Sequence, residues 1–222
     1  NKIDAPFLFK DGETNRLYFQ VKTPDTNPQY YHIYLAEATG TLASIADGND
    51  DVDFTLNSTN PVLSPSGTGW DAEQVMHPWV VKDGSNYYMW YSGWGTGFSQ
   101  QVGMAKSTNG VNWVKSPANP IFAPATGYAE PSVIVNADGT WEMWTMGTGG
   151  VINYLTATGP FEFQSIQAAV NAAVAGDTIN VAPGEYVEVG QIVIDKNLTI
   201  VGADKATTII KPAQNTGASA DA

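Results

Sequence analysis

A chain of 222 residues with 43% apolar and 11% aromatic content has enough nonpolar surface to build one large or two modest cores. Ten Lys and Arg against 22 Asp and Glu give a net charge of -12, which repels polyphosphates and anionic membranes and argues against nucleic acid as a partner. No apolar run approaches the roughly 20 residues of a bilayer span, so no membrane insertion is expected. Without cysteine there is no disulfide framework, thiolate metal site or cysteine nucleophile. Charged residues make up only 14% of the chain, whereas Gly numbers 22; this suits a turn-rich β protein whose neutral polar surface meets sugars or neighbouring copies. The chain opens at Asn1 with neither Met nor a basic, hydrophobic leader, and reads as a processed or excised piece.

In chain order, the first feature is an internal repeat. Pro6-Phe7-Leu8-Phe9-Lys10-Asp11-Gly12 leads to the aromatic strand Leu17-Tyr18-Phe19-Gln20-Val21, and Pro78-Trp79-Val80-Val81-Lys82-Asp83-Gly84 leads to Tyr87-Tyr88-Met89-Trp90-Tyr91. A third copy runs from Pro131-Ser132-Val133-Ile134-Val135 through Asp138-Gly139 to Trp141-Glu142-Met143-Trp144. Third strands are predicted at 31–36, 102–107 and 152–157, and a fourth is marked by a lone aromatic at Phe54, Trp113 and Phe161. Four short strands per repeat, joined by Gly, Asn and Asp turns, describe a propeller blade. The first interval is longer than the second and carries an insertion.

The stretch Gly69-Trp70-Asp71-Ala72-Glu73 through His77-Pro78, with Tyr88-Met89-Trp90-Tyr91-Ser92-Gly93, Val102-Gly103-Met104-Ala105-Lys106-Ser107, Asn109-Gly110-Val111-Asn112-Trp113 and Asn119-Pro120-Ile121, resembles the five-bladed β-propeller glycosidase superfamily of arabinanases, β-xylosidases, levansucrases and invertases. The resemblance covers about residues 3–163, and the middle repeat carries most of it.

From Phe163 the pattern changes. Residues 165–174 place apolar side chains at helical spacing, with Gly176 as the expected C-terminal cap. Short β runs follow at 178–181, 191–194, 198–201 and 208–210, separated by Pro183-Gly184, Asp195-Lys196-Asn197 and Gly202-Ala203-Asp204. The stretches Gly176-Asp177-Thr178-Ile179, Pro183-Gly184-Glu185-Tyr186 and Asn197-Leu198-Thr199-Ile200-Val201-Gly202 resemble the opening turns of a pectate-lyase-like right-handed parallel β-helix. The expected fold is therefore all-β: a partial β-propeller of three four-stranded blades at 1–162, a segment of short helix and first β-helix turns at 163–212, and a flexible tail at 213–222. Three blades cannot close a five-bladed ring, and two β-helix turns leave an open end. Either the chain continues elsewhere or its β edges are completed by other chains, copies of itself included.

In the enzymes resembled, acidic residues at the start of each inner strand carry the reaction, one as base or nucleophile, one as general acid and one holding substrate. The matching places, just before Pro6, Pro78 and Pro131, supply Asp4, His77 and Glu130. His77 stands where many relatives have Asp; it can still meet a sugar hydroxyl. The competing reading is that all three only cap strand starts in a central channel. Trp70, Trp79 and Trp94 could form a stacking platform for sugar rings or belong to the core, whereas Trp90, Trp141 and Trp144 alternate within strands as core between blades.

Asp47, Asn49, Asp51 and Asp53 concentrate hard oxygen ligands suited to Ca²⁺, without the spacing of an EF-hand; a solvated acidic loop is the alternative. Asn57 and Asn197 head glycosylation sequons. The chain has two His, no phosphate loop and no clustered ligands for zinc, so nucleotide, redox and zinc-hydrolase chemistry is set aside, and no cofactor is required. The expected protein is secreted or displayed at the cell surface, binds polysaccharide or oligosaccharide and could hydrolyse it with Glu130 as acid and Asp4 as base or nucleophile. The alternative is a structural subunit of an extracellular filament, sheath or surface layer.

Overall fold

A computed structural model describes residues 2–23, 30–39, 54–116, 119–121, 128–157, 159–160, 166–173, 175–181, 184–188, 191–202, 204–206 and 208–212. The candidate Ca²⁺ ligands Asp47, Asn49, Asp51 and Asp53, the marker Phe161 and the tail 213–222 lie outside them. The chain divides into two compact units, Asn1–Pro160 and Phe161–Ala222.

The first unit consists of antiparallel blades. Strands β1 (Lys2–Asp11), β2 (Thr14–Lys22), β3 (Tyr31–Thr39) and β4 (Thr55–Leu56) form the first, in that order. Strands β5 (Gln74–Asp83), β6 (Asn86–Trp94), β7 (Gln101–Ser107) and β8 (Val114–Lys115) form the second. The third blade shows three strands among the described residues, β9 (Ala129–Val135), β10 (Trp141–Met146) and β11 (Ile152–Ala157), with β10 in the middle; its fourth strand was expected at Phe161. The β1–β2 and β5–β6 hairpins close in two residues because Gly12 (φ 61) and Gly84 (φ 58) take the left-handed backbone such turns need.

Two short strands on an outer edge leave backbone unpaired, and an Asn amide fills the gap in both complete blades. Asn60 accepts from Leu35 N–H and donates to Leu35 C=O, each at 2.7 Å; Asn119 does the same to Met104, at 2.8 and 2.9 Å. The side-chain amide thus stands in for a peptide group.

Blades stack face to face. Between the first and second lie Tyr18, Ile33, Leu35, Val75, Val80, Tyr87, Met89 and Tyr91, all buried. Between the second and third, Trp90 packs on Tyr88 and Trp141, with ring centroids 6.1 and 5.8 Å apart, and Tyr88 meets Trp141 edge-on at 5.8 Å. Aromatic pairs in such geometry add about 0.5–1.5 kcal/mol each beyond the area they bury. Trp113, at the fourth strand of the second blade, meets Tyr18 edge-on at 6.0 Å and donates to Gly110 C=O at 3.2 Å.

At the far end of the first interface, Asp11 accepts from Lys82 Nζ at 2.6 Å and from Tyr87 O–H at 2.5 Å, with Arg16 3.4 Å away. Burial opposes the Asp11 charge most strongly, yet Lys82, Tyr87 and Arg16 together outweigh it and hold the carboxyl below its ordinary value of 3.8. A group that holds its proton less tightly when folded stabilises above its ordinary pKa and loses that contribution as the pH falls through the native one. Asp11→Asn should therefore cost about 1–3 kcal/mol near pH 5, with the difference from the parent protein shrinking away as the pH falls through the depressed native pKa. Urea midpoints across that range measure it.

The second unit contains helix α1 (Ile166–Ala172) and four strands paired in parallel: β12 (Thr178–Val181) with β14 (Thr199–Gly202), and β13 (Gly184–Glu188) with β15 (Thr208–Pro212). Ile166 and Val170 of the helix are buried with Val181, against Ile179, Tyr186, Ile192, Leu198 and Ile200. Side chains from the β turns hold both helix ends. The buried Glu188 carboxylate accepts the N–H groups of Ile166 and Gln167, while Lys196 Nζ donates to the carbonyls of Val170 and Ala173 at 3.2 and 3.1 Å. Each charge has the sign that its helix terminus favours.

Two expectations for this unit are corrected. The run at 191–194 is not a strand, because Gln167 pairs its side-chain amide with the N–H and C=O of Val193 at 2.5 and 3.2 Å, taking the bonds a neighbouring strand would take. Instead a strand that was not expected, β13, starts at Gly184 and runs to Glu188, within the interval before residue 191. Gly176 has φ 98 but lies beyond the helix end and donates its N–H to Asn197 C=O at 2.7 Å, so it terminates a turn rather than capping α1.

Candidate functional site

Each inner strand carries one irregularity. The β1–β2 register shifts between Asp4 and Phe7, the β5–β6 register between Met76 and Trp79, and the β9–β10 register at Trp144 and Met146, opposite Ala129 to Ser132. At each bulge the residue immediately before proline has a left-handed backbone: Ala5 (φ 45), His77 (φ 50) and Glu130 (φ 51). Non-glycine residues avoid this region unless their surroundings enforce it. A bulge re-aims one side chain out of the pleat, and the three inner strands lie side by side, so these positions converge.

The equivalence corrects one assignment. The first blade presents Ala5 where the others present His77 and Glu130; Asp4 stands one residue earlier, level with Met76 and Ala129. Asp4 is nevertheless close enough to His77 for their charges to interact. It pairs with Lys2 at 3.0 Å and accepts the Ala5 N–H at 3.0 Å. The Lys2 hydrogen bond first, then that backbone N–H, hold its carboxyl below the ordinary range.

The bulges are passed from blade to blade. His77 N–H is held by Gln20 Oε1 from the first blade at 3.1 Å, and Glu130 N–H by Ser92 Oγ from the second at 2.8 Å. Gln20 and Ser92 occupy the same place in β2 and β6, opposite Asp4 and Met76. Ser92 also lies 3.2 Å from His77 Nδ1, and His77 Nε2 is 4.0 Å from Glu130 Oε1. Burial pushes the imidazole below its usual pKa, against the pull of Glu130 and Asp4, so His77 is neutral at pH 7. Ser92 is 0% exposed, which bars it from acting as a nucleophile on a ligand and leaves it a holding role.

Neither Gln20 nor Ser92 was selected from sequence. The available signal was a small polar residue, Ser92, in register with the buried Tyr88 and Trp90 on one face of an aromatic strand.

The three tryptophans do not form one platform. Trp70 stacks on Tyr91 at 5.8 Å and 23°, its ring seated over Gly93 and Gly103, where added Cβ atoms would come within 2.2 and 2.5 Å of it. Trp79 pairs across the strands with Trp90, and alternation puts Trp90 on the opposite face from Tyr91. Its indole N–H donates to Val133 C=O at 2.7 Å and its ring meets Phe7 at 4.7 Å, so Trp79 ties three blades together. Trp94 ends β6, half-buried, opposite Gln74. At the sequons, the Asn57 side-chain N–H donates to Glu37 at 2.8 Å, whereas Asn197 is exposed in a turn.

A separate cleft of about 210 Å³ opens at the outer edge of the second blade, lined by Ser66, Thr68, Trp70, Asp71, Lys115 and Asn119 among others. Its floor is an ion pair, Lys115 Nζ to Asp71 Oδ2 at 2.6 Å.

No protein-family model matches the sequence. Two uncharacterized proteins of Mycobacterium tuberculosis, MT1551 and Rv1502, are each 27% identical to it over 150 residues, 62% of this chain and 49% of theirs. The chain thus spans about half the length of the curated relatives it matches. Among solved structures, a glycoside hydrolase superposes with a TM-score of 0.52 at 14% identity, over 73% of this chain and 55% of its own. The Bombyx mori GH32 beta-fructofuranosidase BmSUC1 gives 0.51 at 18% identity, over 68% and 33%, and an endo-1,4-beta-xylanase from Bacteroides thetaiotaomicron 0.50 at 19%, over 71% and 60%. These likenesses show the fold alone: part of a β-propeller such as those glycoside hydrolases have.

Proposed function

We propose that this protein binds carbohydrate at the converging bulges of its blades, through Glu130, His77 and Asp4. The observation that carries this reading is the approach of an imidazole to a carboxylate, 4.0 Å apart, on strained positions of a fold shared with glycoside hydrolases. Glycoside hydrolysis is the finer version. Glu130 then serves as acid and Asp4, whose carboxyl stays ionised beside Lys2, as base or nucleophile. Ala5 at the first bulge removes one of the expected groups, so binding is the primary role. Secretion fits a ligand outside the cell, and the parallel pairing in the second unit supports its reading as the first coils of a parallel β-helix.

Arabinan, xylan, fructan and mannan oligosaccharides, tested for binding and for release of reducing sugar, decide between these versions. Glu130→Gln should weaken binding about 10-fold or more through loss of a charged acceptor and abolish any turnover. Unchanged binding in that variant, or no binding by any oligosaccharide, would overturn the proposal.

A second reading, a structural subunit of an extracellular assembly, is favoured by one observation. Ile134, Met146, Ile152 and Tyr154 share the face of the third blade opposite the buried Val133, Trp141 and Met143, and are exposed, Ile152 at 72%. An apolar sheet face of this kind invites packing on another surface. Sedimentation of the purified chain should then show association that Ile152→Lys abolishes; a monomer at high concentration excludes it.

A further inference from the structure

We infer that Ser92 fixes His77 as the Nε2–H tautomer, so that His77 and Glu130 form a donor–acceptor notch that takes one ligand hydroxyl. This deepens the carbohydrate reading and rests on it. Ser92 Oγ accepts the Glu130 N–H at 2.8 Å and retains one proton of its own to give. The acceptor beside it is His77 Nδ1, at 3.2 Å. The reverse arrangement, with the proton on Nδ1, would turn the Nε2 lone pair toward the Glu130 carboxylate, a repulsive contact. With Nδ1 accepting, the imidazole proton sits on Nε2 and faces a negative oxygen. The neutral state of the ring, favoured by its burial, makes this choice of nitrogen the one that matters.

The separation is as informative as the polarity. At 4.0 Å the two atoms are too far apart for a hydrogen bond and too close to admit more than one atom between them. An oxygen about 2.8 Å from each would lie within hydrogen-bond reach of both, accepting from Nε2 and donating to the carboxylate. Such a position discriminates chemically. A carboxylate there would confront Glu130, an ammonium would meet the Nε2 proton, and an ether or deoxy carbon would leave at least one partner unsatisfied.

Ser92 is a positioning residue in this scheme. It touches no ligand, yet holds the backbone of the acceptor and the tautomer of the donor at once. His77 and His32 are the two histidines of the chain, so protein labelled with ¹⁵N-histidine gives two imidazole spin systems that a His32→Gln variant assigns. Long-range ¹H–¹⁵N correlation of the unliganded protein should show His77 with Nε2 protonated and Nδ1 bare, and Ser92→Ala should shift it toward a mixture of tautomers. Titration with the arabinan, xylan, fructan and mannan oligosaccharides should move the His77 Nε2 resonance for the one that binds. Removing or O-methylating the recognised hydroxyl should then weaken binding about 10- to 100-fold.

A His77 protonated on Nδ1 in the unliganded protein would overturn the inference and leave carbohydrate binding standing, since that measurement needs no ligand. An oligosaccharide that binds without moving His77 would likewise overturn the notch alone. If no oligosaccharide binds, the notch falls together with the carbohydrate reading, whatever the tautomer.

Discussion

Replacing Trp90 with alanine is expected to remove about 3–5 kcal/mol of unfolding free energy from the first unit. The indole is 0% exposed and lies between Tyr88 and Trp141, so the substitution empties the space where the second and third blades meet. Alanine keeps β6 hydrogen-bonded to β5 and β7 but leaves a cavity that neither strand can collapse into without breaking register. Urea unfolding followed by far-ultraviolet circular dichroism measures the loss. A cost below about 1 kcal/mol would mean that the two blades do not pack through this residue.

Asp71→Ala should cost nearly as much, about 3 kcal/mol, for a different reason. Asp71 is buried, and its Oδ2 accepts from Lys115 at 2.6 Å and from Tyr91 O–H at 3.3 Å, while Asn119 donates to the same Tyr91 oxygen at 3.1 Å. Burial already depresses the Lys115 pKa, with Asp71 alone opposing it; removing the carboxylate leaves an ammonium in a partly desolvated site. The cost lies in the stranded charge more than in the lost bond, so the double replacement Asp71→Leu with Lys115→Met should recover most of the stability. A double variant as unstable as Asp71→Ala would show instead that Asp71 matters through Tyr91 and the short 3-10 turn Gly69–Asp71. The same pair of measurements reports on the cleft above the ion pair, whose floor these residues make.

Blade strands were legible in the sequence because alternation and Asp-Gly turns are local signals; β11 matches its predicted span, and β7 starts one residue early. What escaped was decided between elements. At the first bulge two residues face one on the partner strand, and period-two alternation cannot tell which of Asp4 and Ala5 is turned inward. The reading that sought a carboxylate therefore settled on Asp4. Gln20 and Ser92 look like ordinary strand residues until the next blade brings its bulge N–H to them. Likewise Gln191-Ile192-Val193-Ile194 has the composition of a strand, and only the amide of Gln167, reaching from the helix, removes it from the ladder. The tryptophans were ambiguous for a related reason: the partners that Trp70 and Trp79 meet, Tyr91 on one side of β6 and Trp90 on the other, come from a different strand.

Ala5 serves as a natural control for the two residues that matter most. It adopts the same left-handed backbone as His77 and Glu130, precedes proline as they do, and carries a methyl group with no chemistry to offer. The contortion is thus a property of the blade rather than a trace of function, and strain at His77 and Glu130 is no argument for catalysis by itself. It follows that shape and chemistry are inherited separately in this architecture: a blade can keep its twisted socket intact while the side chain in it is exchanged for another, or for almost nothing.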